Sequence, residues 1–139
     1  MGKRLREKSL EDYGISKNRY KELQAFCLQY EEKKNKISRI KAKSSMDGQP
    51  RGNYAGKPTE EMAIRNVGYL KDCEMIEKAA IAASKDVYPY ILKSVTNDLS
   101  YTFLEYDQEL GRIPVGKTEF YAIRRLFYYY LDRMQLGTN

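Results

Sequence analysis

The side chains best suited to chemistry in this sequence lie near its C-terminus, in TEFYAIRRLFYYYLDR, residues 118–133. If this stretch is a helix, with 100° between successive residues, one face collects hydroxyl and guanidinium groups. Guanidinium groups can bond bidentately to guanine, hydroxyls can reach phosphates or base edges, and lysine suits phosphate. We therefore predict a DNA-contacting set. Its members are Lys117, Thr118, Tyr121, Arg124, Arg125 and Tyr128.

The same helix has an opposite, apolar face. It is formed by Phe120, Ile123, Phe127, Tyr130, Leu131 and Met134. Such a stripe favours packing on a core. Residues 118–133 are therefore predicted to form an amphipathic helix, with Arg125 at the centre of its exposed face. Arg124 lies at the border between the two faces and can extend outward.

A second basic feature is the run KKNKISRIKAK, residues 33–43, which has six basic residues and no acid. Residues 1–57 hold 15 Lys/Arg and 7 Asp/Glu, a net of +8, whereas residues 58–139 hold 10 and 12, a net of −2. The run predicts contact with phosphates, although a merely solvated face explains it equally well. The expected phosphate contacts are Lys33, Lys34, Lys36, Arg39 and Lys41.

Residues for catalysis are scarce. The chain has no histidine and only two cysteines, Cys27 and Cys73, each inside a helical pattern and expected to be a small buried side chain. Acids at positions 105, 107 and 109 alternate, which does not place them on one face of a helix. The segment 52–57, GNYAGK, departs from a phosphate-binding loop in spacing and is followed by Pro58. We expect no enzymatic activity, cofactor or metal.

The elements that must position these residues read as helices throughout. A length of 139 residues suits one domain. Residues 1–15 are expected to be a flexible lead, and residues 16–85 an antiparallel hairpin of two long helices or a dimerisation element. Its first helix covers about residues 16–42 with Ser16 as N-cap, and a glycine- and proline-rich mobile loop spans 43–58. The second begins at a Thr59 cap and ends near Ser84, with an apolar stripe of Ala63, Val67, Leu70, Cys73, Ile76, Ala80 and Ala83.

The pattern of residues 86–139 predicts three further helices. Asp86, Ser100 and Thr118 are the expected N-caps, with Pro89 in the first turn of the first helix of this group. Gly111 is expected to end the short middle helix, and Gly137 lies just past the last. A helix, a short helix, a turn and an amphipathic helix is the order of a trihelical helix-turn-helix module, whose last helix enters the major groove. The predicted fold class is all-α.

A family resemblance adds to this interpretation. The segment ILKSVTNDLSYTFLE, followed by IPVGKTEFYAIRRLFYYYLDR, resembles the C-terminal part of small phage and prophage proteins of Gram-positive bacteria, the ArpU/RinA-type late transcriptional regulators. The front part, YGISKNRYKELQAFCLQYEEKK, is similar to such proteins too. The resemblance implies a helix-turn-helix like region 4 of sigma factors. Asp98 stands where it implies glycine, and DQELGR lengthens the link before the last helix. On that helix it points to Thr118, Glu119, Tyr121, Ala122 and Arg125.

The function expected first is therefore a phage-encoded, sequence-specific DNA-binding regulator. Its expected partners are double-stranded DNA, a second copy in a homodimer, and host RNA polymerase. A small terminase subunit that packages DNA as a ring, and a helical protein-interaction factor that uses its tyrosines, remain alternatives. No apolar run approaches membrane-spanning length and no secretory signal is evident, so a cytoplasmic location is expected.

Overall fold

The computed structural model describes residues 8–37, 57–106 and 109–137. Within these ranges every regular element is helical and none is a strand, which confirms the all-α prediction. Residues 30–37 are also helical and follow the first helix after a one-residue interruption at Gln29. The helices are α1 (Lys17–Leu28), α2 (Lys57–Ala83), α3 (Tyr88–Asn97), α4 (Tyr101–Tyr106) and α5 (Lys117–Gln135).

The last helix, α5, occupies the centre of the fold. It packs most extensively against α2 and also contacts α1, α3 and α4. Phe120, Ile123, Phe127 and Leu131 of its predicted apolar face are buried, and Tyr130 and Met134 pack against the core more loosely. The buried part is wider than the helical wheel indicates, because neighbours approach from several sides. Ala122, Tyr128 and Asp132 are buried as well.

Residues 8–15 form a turn packed on the core, in the region where the sequence predicts a flexible lead. The Ile15 amide donates to the Leu10 carbonyl at 2.9 Å and the Gly14 amide donates to the Glu11 carbonyl at 2.9 Å. These two bonds form a Schellman motif. The motif needs a residue with a left-handed backbone, and Gly14, at φ +80°, supplies it. Ile15, which follows, is only 1% exposed. Residues 1–7 of the expected lead lie outside the described ranges.

The ends of α1 and α2 agree only partly with the predicted boundaries. Ser16 caps α1 as predicted, since its hydroxyl accepts from the Arg19 amide at 3.1 Å. The predicted continuous helix to residue 42 is interrupted at Gln29, and its part beyond residue 37 lies outside the described ranges, as does most of the predicted loop 43–58. α2 begins at Lys57, so Thr59 lies inside its first turn instead of capping it.

The predicted boundaries of the later helices are also confirmed at some positions and wrong at others. Val87, not Asp86, is the N-cap of α3, and Ser84 accepts the Val87 amide at 3.1 Å. Pro89 lies in the first turn as predicted. Ser100 accepts the Phe103 amide at 3.1 Å and so caps α4 as predicted.

Gly116, and not Thr118, is the N-cap of α5. At the other end Gly137 has φ +80°, as expected of a glycine just past a helix. α4 ends at Tyr106, earlier than predicted, and residues 107 and 108 lie outside the described ranges.

The predicted apolar stripe of α2 is buried only over its second half. Cys73, Ile76 and Ala80 are at most 1% exposed, whereas Val67 is 56% and Leu70 46% exposed. The first half of α2 therefore extends beyond the core formed by the described residues.

Candidate functional site

The turn between α4 and α5 is held in place by two tyrosine hydroxyls. The Tyr90 hydroxyl of α3 lies 2.8 Å from the Leu110 carbonyl oxygen and 3.0 Å from that of Arg112, and it donates to this pair. The Tyr101 hydroxyl of α4 donates to the Val115 carbonyl at 2.9 Å. Residues 109–116 thus have a defined path although they include Gly111 at φ +82°.

The two helices that flank this turn are joined directly. The Tyr121 hydroxyl of α5 accepts the backbone amide of Tyr101 at 3.0 Å, so it satisfies one of the N-terminal donors of α4. The rings of Tyr101 and Phe120 lie 5.4 Å apart between centroids. Tyr121, predicted to contact DNA, therefore has a structural task in the fold, and its ring is partly buried.

The outer surface of this unit is formed by the first turn of α5 and by α4. Lys117 and Thr118 are exposed, and so is Arg112 in the turn before them. α5 has no side-chain cap at its N-terminus, so its first amides point outward without a hydroxyl or carboxylate partner from the cap residue. On α4, Phe103 is 56% and Tyr106 81% exposed, and their i, i+3 spacing puts them on one face.

Arg125 and the exposed face around it are covered by residues 8–15. The Arg125 Nε–H donates to the Lys8 carbonyl at 2.7 Å. The rings of Tyr13 and Tyr129 lie 5.1 Å apart. The side chain that the sequence places centrally on an open face is thus half-buried and bound to the N-terminal segment.

Arg124 points in a different direction, into the space between α1, α3 and α5. Its Nη1 donates to the Ser94 hydroxyl at 2.9 Å, its Nη2 lies 3.5 Å from the Tyr20 hydroxyl, and its guanidinium carbon is 5.4 Å from the centre of the Tyr121 ring. Arg124 has no ion pair with any of the residues that the structure describes. Burial by itself lowers the pKa of the Arg124 guanidinium, but the hydrogen bond to the Tyr20 hydroxyl and the nearby tyrosines raise it by more. The pKa therefore lies above its usual value and the group stays charged.

Tyr128 is buried, so the expectation that it lies on the exposed face is wrong. It is 2% exposed, and its ring packs edge-on against Tyr20 at 5.1 Å. Its position on the helical wheel is at the edge of the predicted exposed face, and α1 covers that side. Burial raises the pKa of Tyr128, which keeps the phenol protonated. Tyr128 lines the same space as Arg124.

Three of the five residues predicted to contact phosphate lie in the described ranges, and all three contact side chains of the protein itself. Lys33 is 8% exposed, forms an ion pair with Asp72 at 2.8 Å and lies over the Phe26 ring at 4.5 Å. Lys34 is paired with Glu77 at 3.5 Å, and Lys36 lies 5.3 Å from the Tyr69 ring centre. These cations hold residues 30–37 against α2. Arg39 and Lys41 lie outside the described ranges.

Two further polar connections between helices were not predicted from the sequence. Arg19 Nε donates to Asp132 at 2.6 Å, which joins α1 to the end of α5, and the Tyr30 hydroxyl donates to the Glu77 carboxylate. Periodicity gives no signal for either partner, since each pair is far apart in sequence. The one available signal was Asp132 itself, a carboxylate that shares the wheel sector of Tyr121 and Tyr128.

The cysteines offer no reactive thiol. Cys27 and Cys73 are 0% and 1% exposed, which confirms the prediction of small buried side chains. Burial raises the pKa of the Cys27 thiol to about 12. Among the residues the structure describes, no cluster of three potential metal-ligating side chains occurs. None of the described helices combines the length and apolarity needed to cross a membrane.

Comparison of the chain with protein-family models, with curated proteins and with solved structures finds no match.

Proposed function

We propose that this protein is a non-enzymatic DNA-binding protein that presents the turn before α5 and the first turn of α5 to a duplex. The observation that supports this most is the joined unit of α4, turn and α5, in which three tyrosine hydroxyls fix the helices and Lys117 and Thr118 stay exposed. In helix-turn-helix proteins the N-terminal residues of the last helix contact base edges. The uncapped amides of α5 suit a phosphate oxygen.

In this proposal the residues of the predicted DNA-contacting set have different roles. Lys117 contacts phosphate, and Thr118 reaches a phosphate or base edge. Tyr121, Arg124 and Tyr128 support the helix from inside. Arg125 can read a base only after it leaves the Lys8 carbonyl, so its contribution depends on movement of the N-terminal segment.

The resemblance to phage late regulators supports a promoter duplex as target and a homodimer as the active form. The uncovered apolar side chains of the first half of α2 suit a dimer contact, since Ile64 is 71% exposed and Val67 56% exposed. Sedimentation equilibrium measures the mass directly. A dimer favours the regulator, and a ring of eight or more subunits favours the terminase alternative.

The test of DNA binding is fluorescence anisotropy with a pool of random duplexes at about 50 and 200 mM salt. Affinity should fall steeply with salt, and Lys117→Ala should reduce the salt slope by about one unit. Lys78→Ala, an exposed lysine of α2 distant in sequence from this unit, is the matched control. Absence of binding at both salt concentrations would refute the proposal.

The variants Arg125→Ala and Thr118→Ala then show which of the two side chains contacts the bases and sets the sequence preference. If Arg125 leaves Lys8 to contact a base, its loss costs about 1–3 kcal/mol on the selected sequence and relaxes specificity at one position. If Arg125 stays on Lys8, the selected sequences are unchanged by Arg125→Ala and change with Thr118→Ala.

A second candidate function is favoured by one specific observation. Phe103 and Tyr106 are exposed on one face of α4, and Leu110 in the following turn is exposed as well. Glu105 is an exposed acid on α4, whereas Glu109 forms an ion pair with Lys93. An apolar, acidic surface repels phosphates and suits a protein partner. Failure of DNA binding, together with loss of self-association or partner binding in Tyr106→Ser, would favour this protein-interaction role.

A further inference from the structure

We propose that the groove between α1, α3 and α5 is a binding site for a small oxyanion, a carboxylate or a phosphate, held by Arg124 and Lys21. This site is separate from the proposed DNA contact at the first turn of α5. Three observations carry it: the charge balance of the buried cations, the shape of the groove, and the orientation of the guanidinium.

The charge balance singles out Arg124 among the cations packed inside the fold. Lys33 is paired with Asp72, and Arg19 is paired with Asp132. Among the residues that the structure describes, Arg124 has the hydroxyls of Ser94 and Tyr20 as hydrogen-bond acceptors, and the Asp98 carboxylate lines the same groove without forming an ion pair with it. A cation taken out of water is costly unless a counter-charge accompanies it, so the guanidinium is suited to receive an anion.

The groove has the volume and the lining of a ligand site. It is partly open to solvent and has a volume of about 310 Å³, which is at the small end of the range for ligand pockets. Six polar or charged side chains come from three helices: Lys21 and Gln24 from α1, Ser94 and Asp98 from the end of α3, and Arg124 and Tyr128 from α5. Lys21 is exposed and has no ion pair with a described residue, so its ammonium is available to the groove.

The guanidinium is held in a fixed orientation before any ligand arrives. The Ser94 hydroxyl donates to the Leu99 carbonyl at 2.7 Å, which leaves its lone pairs to accept from Arg124 at 2.9 Å. The Tyr121 ring lies against the guanidinium. A planar fork fixed in this way can bond both oxygens of a carboxylate, or two oxygens of a phosphate, without losing much side-chain entropy.

Asp98 sets the selectivity of the site. Its carboxylate lines the same groove and repels a second negative charge. The site should therefore prefer a monoanion, or an anion that carries a hydrogen-bond donor facing Asp98. Removing that charge should help a phosphate dianion more than it helps a carboxylate monoanion.

The test follows the arginine Nε–H signals in proton–nitrogen NMR spectra during titration with sodium phosphate or sodium acetate, and with sodium chloride at equal ionic strength. The Arg124 signal is assigned by its loss in Arg124→Lys. We expect a saturable shift of this signal with a dissociation constant on the order of 1 mM, as for two charge-assisted contacts. The exposed Arg112 serves as the internal control and should shift little and without saturation.

Two variants at exposed positions keep the test independent of folding. Lys21→Ala should weaken binding of both anions about tenfold, and Asp98→Asn should strengthen phosphate binding relative to acetate. The proposal is overturned if the Arg124 signal moves no more than the Arg112 signal, if chloride moves it equally, or if Lys21→Ala leaves the dissociation constant unchanged.

Discussion

Removing Arg19 should destabilise the protein more than neutralising its partner Asp132. Arg19 Nε lies 2.6 Å from Asp132 Oδ1, and the two side chains are 25% and 9% exposed. Arg19 also bonds Glu22 at 3.2 Å and Gln135 at 2.9 Å. Without Asp132 the arginine keeps two acceptors and part of its water. Without Arg19 the carboxylate stays buried and has no cation partner among the residues that the structure describes.

The size of the effect follows from these exposures. Unit charges 4 Å apart attract by about 4 kcal/mol at an effective dielectric constant of 20. Desolvation offsets much of this, and loss of one partner from a buried pair costs about 3–5 kcal/mol. Because Arg19 is a quarter exposed, we expect about 3 kcal/mol for Arg19→Met. Asp132→Asn keeps an oxygen that accepts from Arg19 and should cost about 1 kcal/mol.

The assay is guanidinium chloride unfolding at pH 7 of the parent, both single variants and the double variant, read by circular dichroism. Lys17→Met, an exposed lysine on the same helix, is the control for the new methionine. The double variant should cost less than the sum of the single changes, by about 1–2 kcal/mol. Equal losses for the two single variants, or simple additivity, would refute the argument from unequal burial.

Three further predictions concern single side chains. Asp98→Gly should raise the free energy of unfolding by about 0.5–1 kcal/mol, because Asp98 has φ 54° and glycine adopts this left-handed conformation without a Cβ penalty; a decrease in guanidinium unfolding would contradict this. The pKa of Cys27 is raised to about 12, so stability should fall as pH rises above about 8.5, where only the unfolded thiol ionises. Between pH 8 and 10 Cys27→Ala should remove about 1–2 kcal/mol of that fall, and parallel curves for parent and variant would count against it. Tyr121→Phe removes the acceptor of the Tyr101 amide and should cost about 1 kcal/mol, seen as faster hydrogen exchange of that amide; unchanged exchange would exclude the contact.

Periodicity predicted what depends on one element alone. The apolar face of α5 and the burial of Cys27 and Cys73 follow from spacing, and the Ser16 and Ser100 caps follow from local hydrogen-bond chemistry. These features need no knowledge of how the helices pack. The structure confirmed these features, whereas the caps that the same local chemistry predicted at Thr59, Asp86 and Thr118 were wrong.

What depends on packing between distant segments could not be read from spacing. The wheel placed Tyr128 outside because it counts angles, whereas α1 covers that angle in the fold. Arg125 looked exposed because nothing in its own helix indicates that the Lys8 carbonyl lies beside it. The basic run gave the charge of Lys33 but not the Asp72 carboxylate that pairs with it across the helices.

At Asp98 the family resemblance and the observed backbone conformation can be compared directly. The resemblance implied glycine at this position, and the structure gives the residue there a left-handed backbone at the end of α3. The backbone requirement that would select glycine is therefore present, while aspartate supplies the side chain. Asp98 also lines the groove beside Arg124, which gives the carboxylate a use that glycine would lack.

The contacts between the two ends of the chain have a consequence for synthesis in the cell. Arg19 bonds a residue 113 positions later, and Arg125 bonds a carbonyl 117 positions earlier. A ribosome makes the N-terminal segment and α1 first, so Leu23 and Cys27 lack their full core until the residues of α5 have been synthesised. The nascent chain must keep this apolar face in solution, or hand it to a chaperone, until the last helix leaves the exit tunnel. The core around Leu23 and Cys27 is therefore completed only after the residues of α5 have emerged.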